Sequence, residues 1–238
     1  MTTFVLVPGA WLPGTVFDAV QAALHAHGHT TVAVTLPGIG DPTRRDVTLA
    51  DWVAHVVDIT LAAADDSTGG VVLAGHSYAG CVAGPAAVEV ADRIDHLVLI
   101  DSNVPRPGSS FADSWSPAGQ AWLADHIRHN DGVWPPDIDQ AATGLADDAQ
   151  HRLAELASPM PTEPLYAVAS DPALPTSVPT TYIHCTRART SLPSDVTDPA
   201  AQLGWTITEL DATHWPMLCS PDPLARLLMD CGAASTPP

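Results

Sequence analysis

The chain contains no lysine: its nine strongly basic residues are all arginines, against 27 acidic residues, for a formal net charge of −18 over 238 residues. A Schiff-base mechanism and a lysine-held phosphate site both need a titratable amine, so neither is available. The acidic excess argues against a nucleic-acid backbone or an anionic membrane surface as partner and leaves a small-molecule substrate. Charged residues make up only 15% of the chain and hydrophobic ones 46%, a balance that suits a compact globular protein. No apolar run approaches the roughly 20 residues of a membrane span. The opening MTTFVLVPG lacks the positive region and long apolar stretch of a secretory leader, so a cytoplasmic protein is expected. Cys81, Cys185, Cys219 and Cys231 form no CxxC pair. They signal neither a zinc site nor a disulfide framework, no cofactor is implied, and they read as small buried hydrophobes. The oligomeric state stays open, a homodimer included. The lysine avoidance and the Ala, Asp, Thr and Pro bias fit a high-GC bacterial genome.

What is present is an alternation. Short runs rich in β-branched residues, at 3–7 (TFVLV), 31–35 (TVAVT), 70–74 (GVVLA), 96–100 (HLVLI), 180–185 (TTYIHC) and 206–210 (TITEL), alternate with longer stretches of helical period. That is the pattern of βαβ units around a mainly parallel sheet, an α/β fold in one domain. Helices are expected at 15–27, with Val16, Val20, Ala23 and Leu24 on one face, and at 48–64, where Thr48 caps a face of Leu49, Trp52, Val53, Val56 and Val57. Two more are expected at 79–91 and 221–231, with a loose tail after Cys231. Residues 105–178 break the rhythm with helical stretches at 116–129 and 139–157, Pro-rich turns, and Trp115, Trp122 and Trp134. An insertion this long is expected to be a helical cap over a core of 1–104 and 179–232. A plain crossover with ordinary core tryptophans is the competing reading.

The chemistry is carried by Gly75-His76-Ser77-Tyr78-Ala79-Gly80, which follows an apolar strand and precedes a small-residue helix. A GxSxG sequence in that context places its serine on a sharp, strained turn with the hydroxyl lifted to the carboxyl edge of the sheet. The flanking glycines are expected to leave no room for a side chain. The turn brings the Tyr78 amide and a helix N-terminus to where negative charge would develop, and Pro8-Gly9-Ala10-Trp11 at the end of the first strand offers the Ala10 amide as a second oxyanion donor. A serine hydroxyl needs a base, and among eleven histidines His214, after the last strand, fits that role. His76 is expected to be structural, and His25, His27, His29, His126, His129 and His151 to lie on surface helices or turns.

Together VLVPGAW, GHSYAG, LVLIDSNVP, TYIHCT and THWPMLCSPDPL resemble the α/β-hydrolase branch that contains plant hydroxynitrile lyases, methyl-salicylate-type esterases and their bacterial relatives. The resemblance covers the core and is weak across 105–178. It implies an α/β-hydrolase fold, the Ser77 and His214 roles, and a helical cap over the pocket. The first strand of that branch usually ends in His-Gly, where this chain has Pro8-Gly9; the lyases place a lysine after the catalytic histidine, where this chain has Trp215. The branch usually carries its acid a few residues past the strand TTYIHC, yet Thr186-Arg187-Ala188-Arg189-Thr190 holds no carboxylate. Asp195 and Asp198 read as solvated loop residues. Asp101, ending LVLID, is the preferred substitute, with a structural hydrogen bond as its competing role.

The leading expectation is a serine hydrolase acting on a small carboxylic ester or lactone through an acyl-enzyme. Trp11, Trp115, Trp122, Trp134 and Trp215 would favour a flat or aromatic substrate group. The alternatives are a non-hydrolytic cyclase, lyase or isomerase of bacterial secondary metabolism, and a ligand-binding protein on a degenerate hydrolase fold, which the missing acid would suggest.

Overall fold

The computed structural model describes residues 1–234. Its chain order is β1 (Thr3–Val7), α1 (Asp18–Ala26), β2 (Thr30–Ala33), α2 (Leu49–Asp66), β3 (Val71–His76), α3 (Gly80–Glu89) and β4 (His96–Ile100). There follow α4 (Pro117–Arg128), α5 (Ile138–Ala141), α6 (Asp147–Leu156), α7 (Glu163–Tyr166), β5 (Thr180–Cys185), α8 (Ser194–Leu203), β6 (Thr206–Leu210), α9 (Pro216–Cys219) and α10 (Pro221–Ala234). The six strands form one parallel sheet in the order β2-β1-β3-β4-β5-β6.

Parallel strands joined by helical crossovers are covered on both faces, which is why the four central strands read as continuous apolar runs. Every residue of β1, β3, β4 and β5 is buried. Alternate residues feed opposite layers. Val5, Val7, Leu73, Leu97 and Leu99 pack with α2 and α3, whereas Phe4, Leu6, Val72, Ala74, Val98 and Ile100 pack with α1 and α10. The edge strand β6 is largely exposed.

The helix at 48–64 begins as expected. The Thr48 hydroxyl accepts from the Asp51 amide while the Asp51 carboxylate accepts from the Thr48 amide, a reciprocal cap. Four boundaries differ from expectation. The stretch 139–157 is two helices, α5 and α6, separated by Gly144 at φ 82°, a left-handed position that ends a helix. The second strand stops at Ala33, and the third runs on to His76, directly against the Ser77 turn. The tail after Cys231 continues α10 as far as Ala234, and its remaining residues 235–238 lie outside the described residues. Among the described residues, no helix is long and apolar enough to cross a membrane.

The strand order reverses direction between β1 and β3, and ligands of open parallel sheets bind outside the carboxyl ends of strands at such a point. β1 ends at Pro8-Gly9-Ala10 and β3 at Ser77.

Candidate active site

Ser77 opens a short 3-10 turn between β3 and α3 and has φ 54°. An L-residue in this region is strained, and the surroundings must hold it there. They do so from three sides. A Cβ on Gly9 would stand 2.8 Å from the Ser77 Cβ, one on Gly75 2.9 Å from the Ala83 Cβ, and one on Gly80 would run into the Asn103 carbonyl. The flanking glycines therefore admit the helix and, at Gly80, the loop after β4. That same loop grips the turn: the Ser77 carbonyl accepts from the Asn103 amide at 2.9 Å and from the Ser102 hydroxyl at 2.6 Å. The Ser102 carbonyl in turn accepts from the Tyr182 hydroxyl of β5 at 3.0 Å.

His214 sits between β6 and α9, where Pro216 at the first helical position starts the helix. Its Nε2 lies 2.8 Å from the Ser77 Oγ and its Nδ1 2.5 Å from the Asp101 Oδ2. The tautomer with hydrogen on Nδ1 satisfies both contacts: Nδ1–H donates to Asp101, and the Ser77 hydroxyl donates to Nε2. Asp101 caps β4 at φ 42° with its side chain fully closed to solvent. Burial pushes its carboxyl up, but the hydrogen bond from His214 and the neighbouring His214 and Arg189 outweigh this and hold it below the usual carboxylate range. His76 is wholly buried and donates from Nε2 to the His214 carbonyl at 2.6 Å. Burial drives its pKa down to about 3, so it stays neutral and serves as a strut.

A cavity of about 790 Å³ opens over the Ser77 and His214 pair, within the range of small-molecule sites. Ala10, Trp11, Tyr78, Trp115, Trp122, Trp134 and Trp215 all line it, so nine of the ten residues singled out in the sequence meet there and Asp101 stands behind His214. The rings of Trp11, Phe111, Trp115 and Trp134 form a contiguous group, with centroids 4.5 to 6.1 Å apart. Trp122, 41% exposed, stacks on Trp115 and His126 at the cavity's outer side.

Three floor loops are tied to the 105–178 segment. The Trp11 carbonyl accepts from the Ser158 amide at 2.9 Å, the Tyr78 hydroxyl donates to the Pro164 carbonyl at 2.6 Å, and the Trp215 indole donates to the Ala141 carbonyl at 2.6 Å. Trp11 itself takes φ 70°.

Some assignments from the sequence need correction. Asp195 is no solvated loop residue: it lies in the first turn of α8, half-buried, with Oδ1 enclosed. Asp198 is exposed, but in the same helix. His29 is half-buried with its ring edge-on to Phe4, and His126 is half-buried against Trp122. Cys219 is only partly buried, whereas Cys81, Cys185 and Cys231 are buried as expected. Sequence reasoning did not find the supporting set Ser102, Asn103, Tyr182 and Arg189, because each acts through a contact between chain-distant loops. Among the described residues, no cluster of His, Cys, Asp or Glu could hold a metal ion.

The parallel sheet, the strained serine turn and the histidine after the last strand define an α/β hydrolase fold with a serine-centred site. The sequence model of the alpha/beta hydrolase family matches residues 4–227, and the chain belongs to that family. It is 33% identical over 111 residues to the carbendazim hydrolyzing esterase of a Nocardioides strain, a match spanning 47% of this chain and 46% of that protein. By structure it is similar to an extracellular alpha/beta-hydrolase of a Paenibacillus species described as homologous to tobacco salicylic acid binding protein 2. That likeness has TM-score 0.85 at 22% identity and covers 98% of this chain and 99% of the other. It is also similar to polyneuridine aldehyde esterase, at TM-score 0.73 and 19% identity over 97% of this chain and 98% of the other. At these identities the two structures speak for the fold alone.

Proposed function

We propose that the protein hydrolyses a small carboxylic ester or lactone through an acyl-enzyme. The observation that carries this reading is the unbroken relay from Ser77 Oγ to His214 Nε2 and from His214 Nδ1 to Asp101, at 2.8 and 2.5 Å, at the floor of an aromatic-lined cavity. Ser77 Oγ attacks the carbonyl carbon as its proton passes to His214. The resulting oxyanion lies against the Ala10 and Tyr78 amides, whose residues border the cavity beside Ser77. Collapse of the tetrahedral intermediate expels the alcohol, which leaves with the proton from His214. Water, deprotonated by His214, then attacks the acyl-serine and releases the acid. Asp101 fixes the ring and tautomer of His214 and stabilises the imidazolium.

Residues 105–178 act as the cap, and their tryptophans give the cavity a preference for a flat or aromatic group on the acyl or alcohol side. The name of the carbendazim-hydrolyzing esterase agrees with ester chemistry. A degenerate binding protein was suggested by an absent acid, and the carboxylate of Asp101 removes that motive.

A serine-directed fluorophosphonate should label the peptide containing Ser77, and Ser77→Ala should lose labelling and essentially all ester turnover while keeping its fold. Turnover by Ser77→Ala close to that of the natural protein would overturn covalent catalysis.

A further inference from the structure

The loop after β5 holds no carboxylate and contributes a cation to the relay instead. Arg189 Nε lies 3.5 Å from Asp101 Oδ1, the oxygen that His214 does not use. That Oδ1 is fully buried and has no hydrogen-bond partner, which for a carboxylate oxygen is costly unless a nearby charge compensates. The arginine is itself anchored. His184 of β5 donates from Nε2 to the Arg189 carbonyl at 2.9 Å, and the Ala188 amide donates to the Cys185 carbonyl at 3.0 Å. The Arg189 side chain is 36% exposed and reaches from the cavity wall, which the residue helps to line, to the enclosed carboxylate.

We propose that Arg189 is a positioning residue of the hydrolytic site, holding the free oxygen of Asp101 so that the other faces His214. The proposal rests on the Ser77, His214 and Asp101 roles given above. Asp101 is faced by His214 from the loop after β6, by Arg189 from the loop after β5, by His76 at the end of β3, and by Tyr182 and Cys185 of β5. His214 is faced by Asp101, Ser77, His76 and Trp215, with Arg187 and Asp137 elsewhere on the cavity wall. Arg187 is engaged by Asp211 at 3.1 Å, which leaves Arg189 as the cation on the Asp101 carboxylate.

Removing the guanidinium withdraws one of the charges that hold the Asp101 carboxyl down and makes it easier to protonate. That change inactivates the relay at a higher pH than before. The acid limb of the turnover profile should therefore move upward when Arg189 is neutralised.

The test compares Arg189→Gln and Arg189→Lys with the natural chain in ester hydrolysis over a pH series. For Arg189→Gln the expected result is a fall in kcat of roughly 10- to 100-fold near pH 7 with KM within about threefold. Its acid limb should rise by roughly half a pH unit or more. Arg189→Lys should restore the position of the limb and much of kcat, because it returns the charge without the fork. An unmoved limb, a change confined to KM, or a pH-independent loss that lysine does not rescue would each overturn the proposal. Ser77→Ala, assayed alongside, reports separately on the hydrolytic reading: if it stays active the relay is not the catalyst, whereas an inactive Ser77→Ala beside an unaffected Arg189→Gln rejects Arg189 alone.

Discussion

Asp101 combines a side chain closed to solvent, a backbone at φ 42° and one oxygen committed to His214. Each condition costs free energy, and together they make sense only if the carboxylate has work to do at that point. Asp101→Asn should keep the shape of the site and favour the wrong imidazole tautomer, lowering kcat by about 10⁴-fold with little change in KM. Should the variant turn over within about tenfold of the natural chain and lose only 1–3 kcal/mol of stability, Asp101 would be a strand cap instead. At this scale the sequence was unusually readable. Ser77 and His214 announce themselves through local context, a strand-turn-helix and a turn after the last strand. Asp101 was reachable only by elimination, because its partner is 113 positions away. Arg189 was visible as the residue standing where an acid was sought, but its contact depends on how two loops fold over each other.

Among the elements, the turn after β1 and the turn after β3 are in closer contact than either sequence pattern suggests. Gly9 is needed less for its own conformation than for its neighbour, since a methyl group there would press on the Ser77 Cβ at 2.8 Å and on the His76 Nδ1 at 3.0 Å. Gly9→Ala should therefore move the nucleophile before it unfolds the chain. A loss in kcat of roughly 100-fold is expected, with destabilisation of about 1–3 kcal/mol from overpacking. Kinetics and a thermal melt on the same preparation check both, and full activity would mean that the turn yields freely. Strands were legible because buried parallel strands read as apolar runs. The break between α5 and α6 was not, because the apolar spacing carries on across it and only Gly144 marks the stop. The 105–178 segment stands out in the sequence by its length, but its path is set by hydrogen bonds to distant loops.

For the molecule as a whole, acid affects stability through histidines that the fold keeps neutral. His76 has the largest effect, its pKa falling from 6.5 unfolded to about 3 when buried. Below pH 6.5 the unfolded chain takes up a proton that the folded chain refuses, so stability falls with acidification across that window and levels off near pH 3. His29 and His96, also shifted down by burial, act in the same direction. The drop in net charge on acidification affects stability as well, so the test is a difference. The stability gap between the natural chain and His76→Gln should shrink by about 2 kcal/mol between pH 7 and pH 5. A gap constant over that range, from denaturant titrations at each pH, would show that His76 protonates as readily folded as unfolded.

The three ties between floor and roof carry a consequence for how such a protein can diversify. Trp11, Tyr78 and Trp215 each follow directly after Ala10, Ser77 or His214, and each is bonded to the 105–178 segment. On the proposed function, the 105–178 segment is thus not an interchangeable module: grafting another in its place would cut three fastenings that end one peptide bond from Ala10, Ser77 and His214, and rate would be lost along with the old preference. Variation that leaves those fastenings alone meets no such obstacle. Trp122 of α4 stacks on Trp115 and His126 within its own segment and holds none of the three, so on the proposed function an exchange there would alter the substrate preference with less effect on rate.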